Sequence, residues 1–252
     1  MRIATVMMAG FIGLSAAAPA AAQGLGCKPT LSSFVRSSYL RNMDVPTKEP
    51  VKQTDLYVTC ADGWGFDIWT SVSLSNGLNS DAAEIDYTLF KTGSIPQLRV
   101  NYDLGLSYYD LNRTFKLQSG DLLVPYLELT MADGFTWDRG PKIVPFTRIE
   151  VYHGMGGKLA HVAPVFFLGA DHSWKLDEGV MLSNRTAFVR SPNSLGVRPG
   201  VTFVNESKMK WTIDEQFTLI LPWAKVATPV YISKSDGRKP NGAIGAGISV
   251  DF

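Results

Sequence analysis

The sequence predicts an all-β chain: a closed antiparallel transmembrane β-barrel of about twelve strands over residues 23–252, behind a cleaved leader at residues 1–22. Three observations carry that expectation. The first residues read as an export signal. The remainder alternates apolar and polar residues with period two, segment after segment. The last segment keeps that alternation up to a terminal phenylalanine.

The leader, MRIATVMMAGFIGLSAAAPAAAQ, has one early charge, Arg2, then an apolar run from Ile3 to Leu14, then a small-residue tail. Ala20-Ala21-Ala22 before Gln23 fits an A-x-A cleavage site. The run is too short to span a bilayer comfortably as a helix. The residues before Cys27 match a lipobox poorly. Among the 252 residues, 45% are hydrophobic and 19% charged, which excludes a disordered chain. Without the leader the acidic and basic groups balance, which argues against a nucleic-acid partner. No later apolar stretch has the length of a transmembrane helix; the longest, His161–Ala170, contains Pro164. An exported chain of this kind is either soluble or a barrel.

The strands follow in order. Leu31–Arg41 and Thr54–Cys60 come first. In Gly65–Ser75, Phe66, Ile68, Thr70, Val72 and Leu74 oppose Asp67, Trp69, Ser71 and Ser73. In Ala82–Lys91, Ala83, Ile85, Tyr87 and Leu89 oppose Glu84, Asp86 and Thr88. In Gln97–Tyr109, Leu98, Val100, Tyr102, Leu104, Leu106 and Tyr108 oppose Arg99, Asn101, Asp103, Gly105 and Ser107. Successive strand side chains point to opposite faces, so each segment has one apolar and one polar face. Less regular candidates are Asp121–Met131, Pro145–His153, Val162–Trp174, Met181–Ser191, Gly196–Asn205, Trp211–Trp223 and Val226–Ser233. Pro125, Pro164, Pro199 and Pro222 each lack a ladder donor and suit strand ends, edges or bulges. Trp211 and Trp223, placed on one face, would reach two aromatic girdles.

The closing strand, Ala243–Phe252, sets Ile244, Ala246, Ile248, Val250 and Phe252 against Gly245, Gly247, Ser249 and Asp251. It should pair with the first strand and place both termini on the periplasmic side. With it the candidates number thirteen. Single-chain bacterial barrels have even strand numbers, so one candidate is surplus and twelve is the expected count. That allots about 19 residues to each strand and connection.

The first third of the chain resembles the TorF-type putative porins of proteobacteria. The matching residues are Ser38-Tyr39-Leu40-Arg41, Gln53-Thr54-Asp55, Trp64-Gly65-Phe66-Asp67-Ile68-Trp69, Glu84-Ile85-Asp86-Tyr87 and Tyr102-Asp103-Leu104-Gly105-Leu106-Ser107-Tyr108-Tyr109. Asn42-Met43-Asp44 departs from the family's pattern after the tyrosine. The resemblance implies a porin-like outer-membrane barrel, with outer-membrane lipid and the barrel-assembly machinery as partners. It also implies that Phe252 is an assembly signal, and it carries over no catalytic residues.

The residues themselves point to a passage rather than to catalysis. His153, His161 and His172 lack the Ser spacing of barrel lipid hydrolases, and G-x-S-x-G is absent. No enzyme activity, cofactor or metal is expected. Cys27 and Cys60 can form a disulfide in an oxidising compartment, or remain as two idle thiols. On the polar faces, Asp67, Glu84, Asp86, Arg99, Asp103, Arg148, Glu150 and Arg198 are the candidates for lining the lumen, with Asp214 and Asp251 beside them. Such groups can line a water-filled path for small polar solutes, or pair and plug it. The rival reading is a non-conducting barrel that serves as a binding or scaffold protein.

Overall fold

The structure, a computed structural model, describes residues 26–40, 48–76, 83–111, 121–137, 140–155, 162–191, 200–232 and 240–252. The expected leader, His161 and Arg198 lie outside the described residues. Twelve strands form: β1 (Cys27–Arg36), β2 (Val51–Cys60), β3 (Trp64–Ser73), β4 (Glu84–Ile95), β5 (Val100–Leu111), β6 (Leu122–Met131), β7 (Lys142–Gly154), β8 (Val162–Asp177), β9 (Val180–Ser191), β10 (Gly200–Thr212), β11 (Phe217–Ile232) and β12 (Asn241–Asp251). Each pairs antiparallel with its sequence neighbours, and β12 closes on β1 through Thr30↔Asp251 to Arg36↔Gly245.

Strand direction sorts the connections. Residues 61–63, 96–99, 132–141, 178–179 and 213–216 join strands at the end that holds the first residue of β1 and the last of β12. The remaining connections leave from the opposite end. Turn chemistry at the terminal end is local. Asp62 accepts from the Trp64 N–H at 3.2 Å, and the Gly63 N–H donates to the Cys60 carbonyl at 2.8 Å. Gly63 has φ +86, and a Cβ there would stand 2.4 Å from the Thr92 carbonyl oxygen, so only glycine fits. Cys27 and Cys60 are register partners and are joined by a disulfide. Tying residues 33 positions apart constrains the unfolded chain, an effect worth roughly 3–4 kcal/mol.

The outer face is apolar in the way a membrane requires. Ile244 is 68% exposed, Leu168 66%, Val162 60% and Leu89 57%, all pointing away from the barrel axis. Water would penalise so large an apolar surface, whereas lipid does not. Ten strand residues at ~3.3 Å each, tilted near 40°, rise ~25 Å, the height of a membrane barrel's apolar band. Trp64, Trp137, Trp174 and Trp211 stand exposed around the terminal end, as an interfacial aromatic belt.

Several expected boundaries move. The first strand runs Cys27–Arg36, not Leu31–Arg41, because the chain leaves the wall after Ser37. The surplus candidate is resolved in β11. Trp211–Trp223 and Val226–Ser233 are not two strands: Trp211 belongs to β10, which ends at Thr212, residues 213–216 turn, and β11 continues through Pro222. The ladder to β12 shifts register between Ile220 and Trp223, so Pro222 sits at a bulge, where its missing donor costs least. The shift also turns Trp223 inward. It is buried at 1% exposure, so the two tryptophans do not share a face as expected. Pro125 lies inside β6, opposite Leu106, where the ladder to β7 has a gap between Leu123 and Tyr126.

Candidate functional site: a divided lumen

The inward side chains follow from register and differ around the barrel. From β2 to β6 they include Val51, Gln53, Asp55 and Tyr57; Asp67, Trp69, Ser71 and Ser73; Glu84, Asp86, Thr88 and Phe90; Asp103, Ser107 and Tyr109; and Leu122, Val124, Tyr126 and Glu128. Among the described residues these five strands send no cation inward. From β7 to β12 and on β1, the cations Arg148, Arg185, Lys208, Lys210, Lys225 and Arg36 project into the lumen, with Glu150, Asp171 and Glu206 among them. An acidic wall therefore faces a basic wall inside one closed barrel.

Five ion-pair members knit part of the interior together. Arg148 meets Glu150 at 2.7 Å and Glu128 at 3.4 Å, and Arg185 meets Glu128 at 2.7 Å and Asp171 at 3.3 Å. The Arg185–Glu128 pair links β9 to β6, passing over Phe146 of β7 on the inner wall. Both guanidiniums also stack on rings, Arg148 4.0 Å from the Tyr126 centroid and Arg185 3.8 Å from that of Phe146. Such planar stacking suits arginine and fixes where its charge points. Tyr126 donates to Asp103 at 3.0 Å. Its ring lies flat on the wall because position 105 is glycine; a Cβ there would stand 2.5 Å from the ring.

The basic half also holds an apolar cluster. Phe146, Val165, Phe167, Ala187, Val189, Val204, Ile220, Trp223, Ala227 and Ala243 are buried together, with Phe34 and Tyr152 against them. Trp223 donates to Glu206 at 3.0 Å and carries Arg36 3.9 Å from its ring centroid. This half of the lumen is packed like a protein core, while in the acidic half single buried apolar groups such as Val51, Phe90 and Val124 stand among carboxylates, hydroxyls and amides.

A short strap joins the halves. The Ser37 N–H donates to the Ile244 carbonyl at 2.8 Å, ending the β1–β12 ladder. Ser38, Tyr39 and Leu40 then turn into the barrel and are buried. Tyr39 donates to Glu84 at 2.6 Å and packs against Val51 and Trp69, the ring centroids of Tyr39 and Trp69 being 5.6 Å apart. Leu40 joins the apolar cluster. Successive side chains thus engage opposite halves of the interior and narrow it.

Of the sequence candidates, Asp67, Glu84, Asp86, Asp103, Arg148 and Glu150 face the lumen. Arg99 does not. It follows a single 3-10 turn, Pro96–Leu98, with φ 52, and pairs with Asp133 at the exposed terminal end. The alternation that placed it inward does not extend through the turn. Asp214 lies in the 213–216 turn and caps the Gln216 and Phe217 N–H groups, and Glu215 beside it belongs to no strand row. Asp251 ends β12, accepting from Thr30 at 2.5 Å. His153 and His172 point outward. Sequence reasoning missed Arg36, Asp55, Glu128, Arg185, Glu206, Lys208 and Lys225. Parity counted from a known strand could have found them; Asp55 and Glu128 lie on β2 and β6, and the strands that carry the other five have apolar residues on both faces.

The closed barrel fold is shared with solved outer-membrane porins. Among solved structures it is similar to the KdgM porin in complex with disordered oligogalacturonate, at 9% identity and TM-score 0.53, covering 89% of this chain and 99% of that one. It is similar also to the NanC porin, at 12% identity and TM-score 0.51, covering 89% of this chain and 98% of that one. No protein-family model and no curated protein matches the sequence.

Proposed function

We propose that the protein is a bacterial outer-membrane channel for passive diffusion of small polar solutes. The observation that carries the reading is the divided lumen: carboxylates on β2–β6 opposite cations on β7–β12 and β1. Opposed fixed charges let polar and dipolar solutes exchange water for wall contacts without favouring a single ion sign strongly. One similar structure, the KdgM porin, holds a polar saccharide, which supports the same broad solute class here. The TorF-type resemblance of residues 34–110 is consistent with that role. No residue is assigned a catalytic part. Conductance of the purified chain in planar bilayers is the test; absence of channel events at every voltage would remove the reading.

The second reading, a non-conducting binding or scaffold barrel, is favoured by one feature, the strap and the packed cluster that it joins. The same bilayer recording separates the two. We further propose that residues 1–22 are cleaved on export and that Phe252 serves the assembly machinery. Its N–H extends the closing ladder by donating to the Pro29 carbonyl at 3.0 Å. Removing Phe252 should leave the lumen intact and strand the exported chain unfolded in the periplasm. Normal outer-membrane abundance of the truncated chain would refute that assignment.

A further inference from the structure

The lipid-facing wall contains a polar island. On β8, β9 and β10 two adjacent outward rows carry His172, Asn184 and Ser207, then Ala170, Thr186 and Asn205. Their direction is fixed by parity, because Asp171, Arg185 and Glu206, which alternate with them, point into the lumen. Apolar side chains surround the island. Leu168, Phe188 and Phe203 form the row on the loop side, and Trp174, Leu182 and Met209 the row on the terminal side. Ile143 and Pro145 flank it on β7, and Ala224 and Val226 on β11. It therefore lies on the lipid side of the aromatic belt, the His172 row one outward row from Trp174 and the Ala170 row one row deeper.

Hydrocarbon offers no hydrogen bonds, so polar groups there must find partners in protein. Part of the need is met internally. Asn184 donates to Ser207 at 2.7 Å, Ser207 to Asn205 at 3.1 Å, and His172 and Thr186 meet at 3.2 Å. The Asn205 amide nitrogen and the Asn184 amide oxygen have no partner among the described residues.

We propose that this island is a self-association surface, where a second copy of the chain docks about a two-fold axis. Its outward rows carry no lysine, arginine or carboxylate, so an anionic lipid headgroup finds no counter-charge there. Asn, Ser, Thr and His each donate and accept, and an amide pairs with an identical amide facing it. A two-fold interface requires a patch complementary to itself, and this composition is so. Ala170, Ser207 and Ala224 are small enough for two walls to approach closely, as at other membrane interfaces. Because both copies use the same patch, the assembly closes as a dimer and does not grow into a ring. The proposal depends on the wall facing lipid and is independent of whether the barrel conducts.

The test is cross-linking of the full chain in native membranes. Ala170→Cys and Ser207→Cys are made singly; Cys27 and Cys60 are already engaged with each other. Leu104→Cys, on the lipid face of β5, serves as the control. A short bis-maleimide should link A170C and S207C into a species of twice the chain mass and leave L104C monomeric. Adding Asn184→Leu and Asn205→Leu to A170C should lower the linked fraction about tenfold, as loss of two amide contacts would. The heat-modifiable gel shift confirms that the variant is folded. Cross-linking no greater than L104C, linkage to a species of another mass, or undiminished linkage in the folded leucine variant would each overturn the proposal. If the leucine variant does not fold, the single-cysteine comparison decides alone.

Discussion

The two halves of the barrel wall solve the same problem in opposite ways. Strands β2–β6 turn mostly apolar residues toward lipid and most of their carboxylates toward the lumen, with a few buried apolar groups, Val51, Phe90, Leu122 and Val124, among them. Strands β7–β12 place apolar residues on both faces over much of their length, and the inner ones pack together as a core, with cations set among them. The first half owes its position to water inside and lipid outside. The second owes it to packing, as a soluble domain would. A barrel interior need not be uniformly wet: one wall can hold the shape while the other lines the passage.

The comparison can be broken by substitution, and the largest effect should come from the packed half. Trp223→Ala removes the largest fully buried side chain among the described residues, with its hydrogen bond to Glu206 and its stack under Arg36. A loss of roughly 3–5 kcal/mol is expected in urea unfolding from lipid. Trp69→Ala in the acidic half should cost less, since Trp69 is only half-buried. Equal losses would show that the halves do not differ in packing.

Cys27→Ser is next in size. It opens the link between β1 and β2 and should lower stability by roughly 2–4 kcal/mol. The open-channel conductance should not change, because the link lies at the terminal end of the strands. Smaller again is Tyr39→Phe, which deprives buried Glu84 of a charged hydrogen bond worth about 1.5–3 kcal/mol. Single-channel recordings should show a larger or noisier open state as the strap loosens. An unchanged trace would mean that Tyr39 does not constrict the path.

Asp67→Asn with Asp103→Asn should leave stability nearly unaltered and shift permeability toward anions, read as a reversal potential in a salt gradient. Lys208→Met with Lys225→Met should shift it the other way. Shifts of the same sign would dissolve the distinction between the walls. Arg99→Ala should be the smallest, with neither selectivity nor stability altered. It pairs at the exposed end, outside the passage, and exposed pairs contribute about 0–1 kcal/mol.

How much was legible follows the same division. Asp67, Glu84, Asp86 and Asp103 were placed on the correct face because each sits between strongly apolar neighbours. In β10, Lys208, Met209 and Lys210 alternate in space, but the apolar Val201, Phe203 and Val204 before them set no parity. In β11, Leu221-Pro222 hides a register shift that reverses every later residue, so Trp223 was read on the wrong side. The strap was invisible because Ser38-Tyr39-Leu40 continues the alternation of β1 in composition while leaving it in space.

The sequence by itself determined the all-β class, the strand number to within one, the apolar exterior and the acidic row of the first half. Those are local properties: a two-residue period and turn residues decide them wherever the segment sits. Only the tertiary structure decided which side chains of non-adjacent strands meet on the inner wall, and so that Glu128 meets Arg185, that Arg36 stacks on Trp223 and that Leu40 enters the cluster on the basic half. It also gathered His172, Asn184 and Ser207, from three strands, into one outward row. These juxtapositions depend on inter-strand register and on closure, which no single strand encodes.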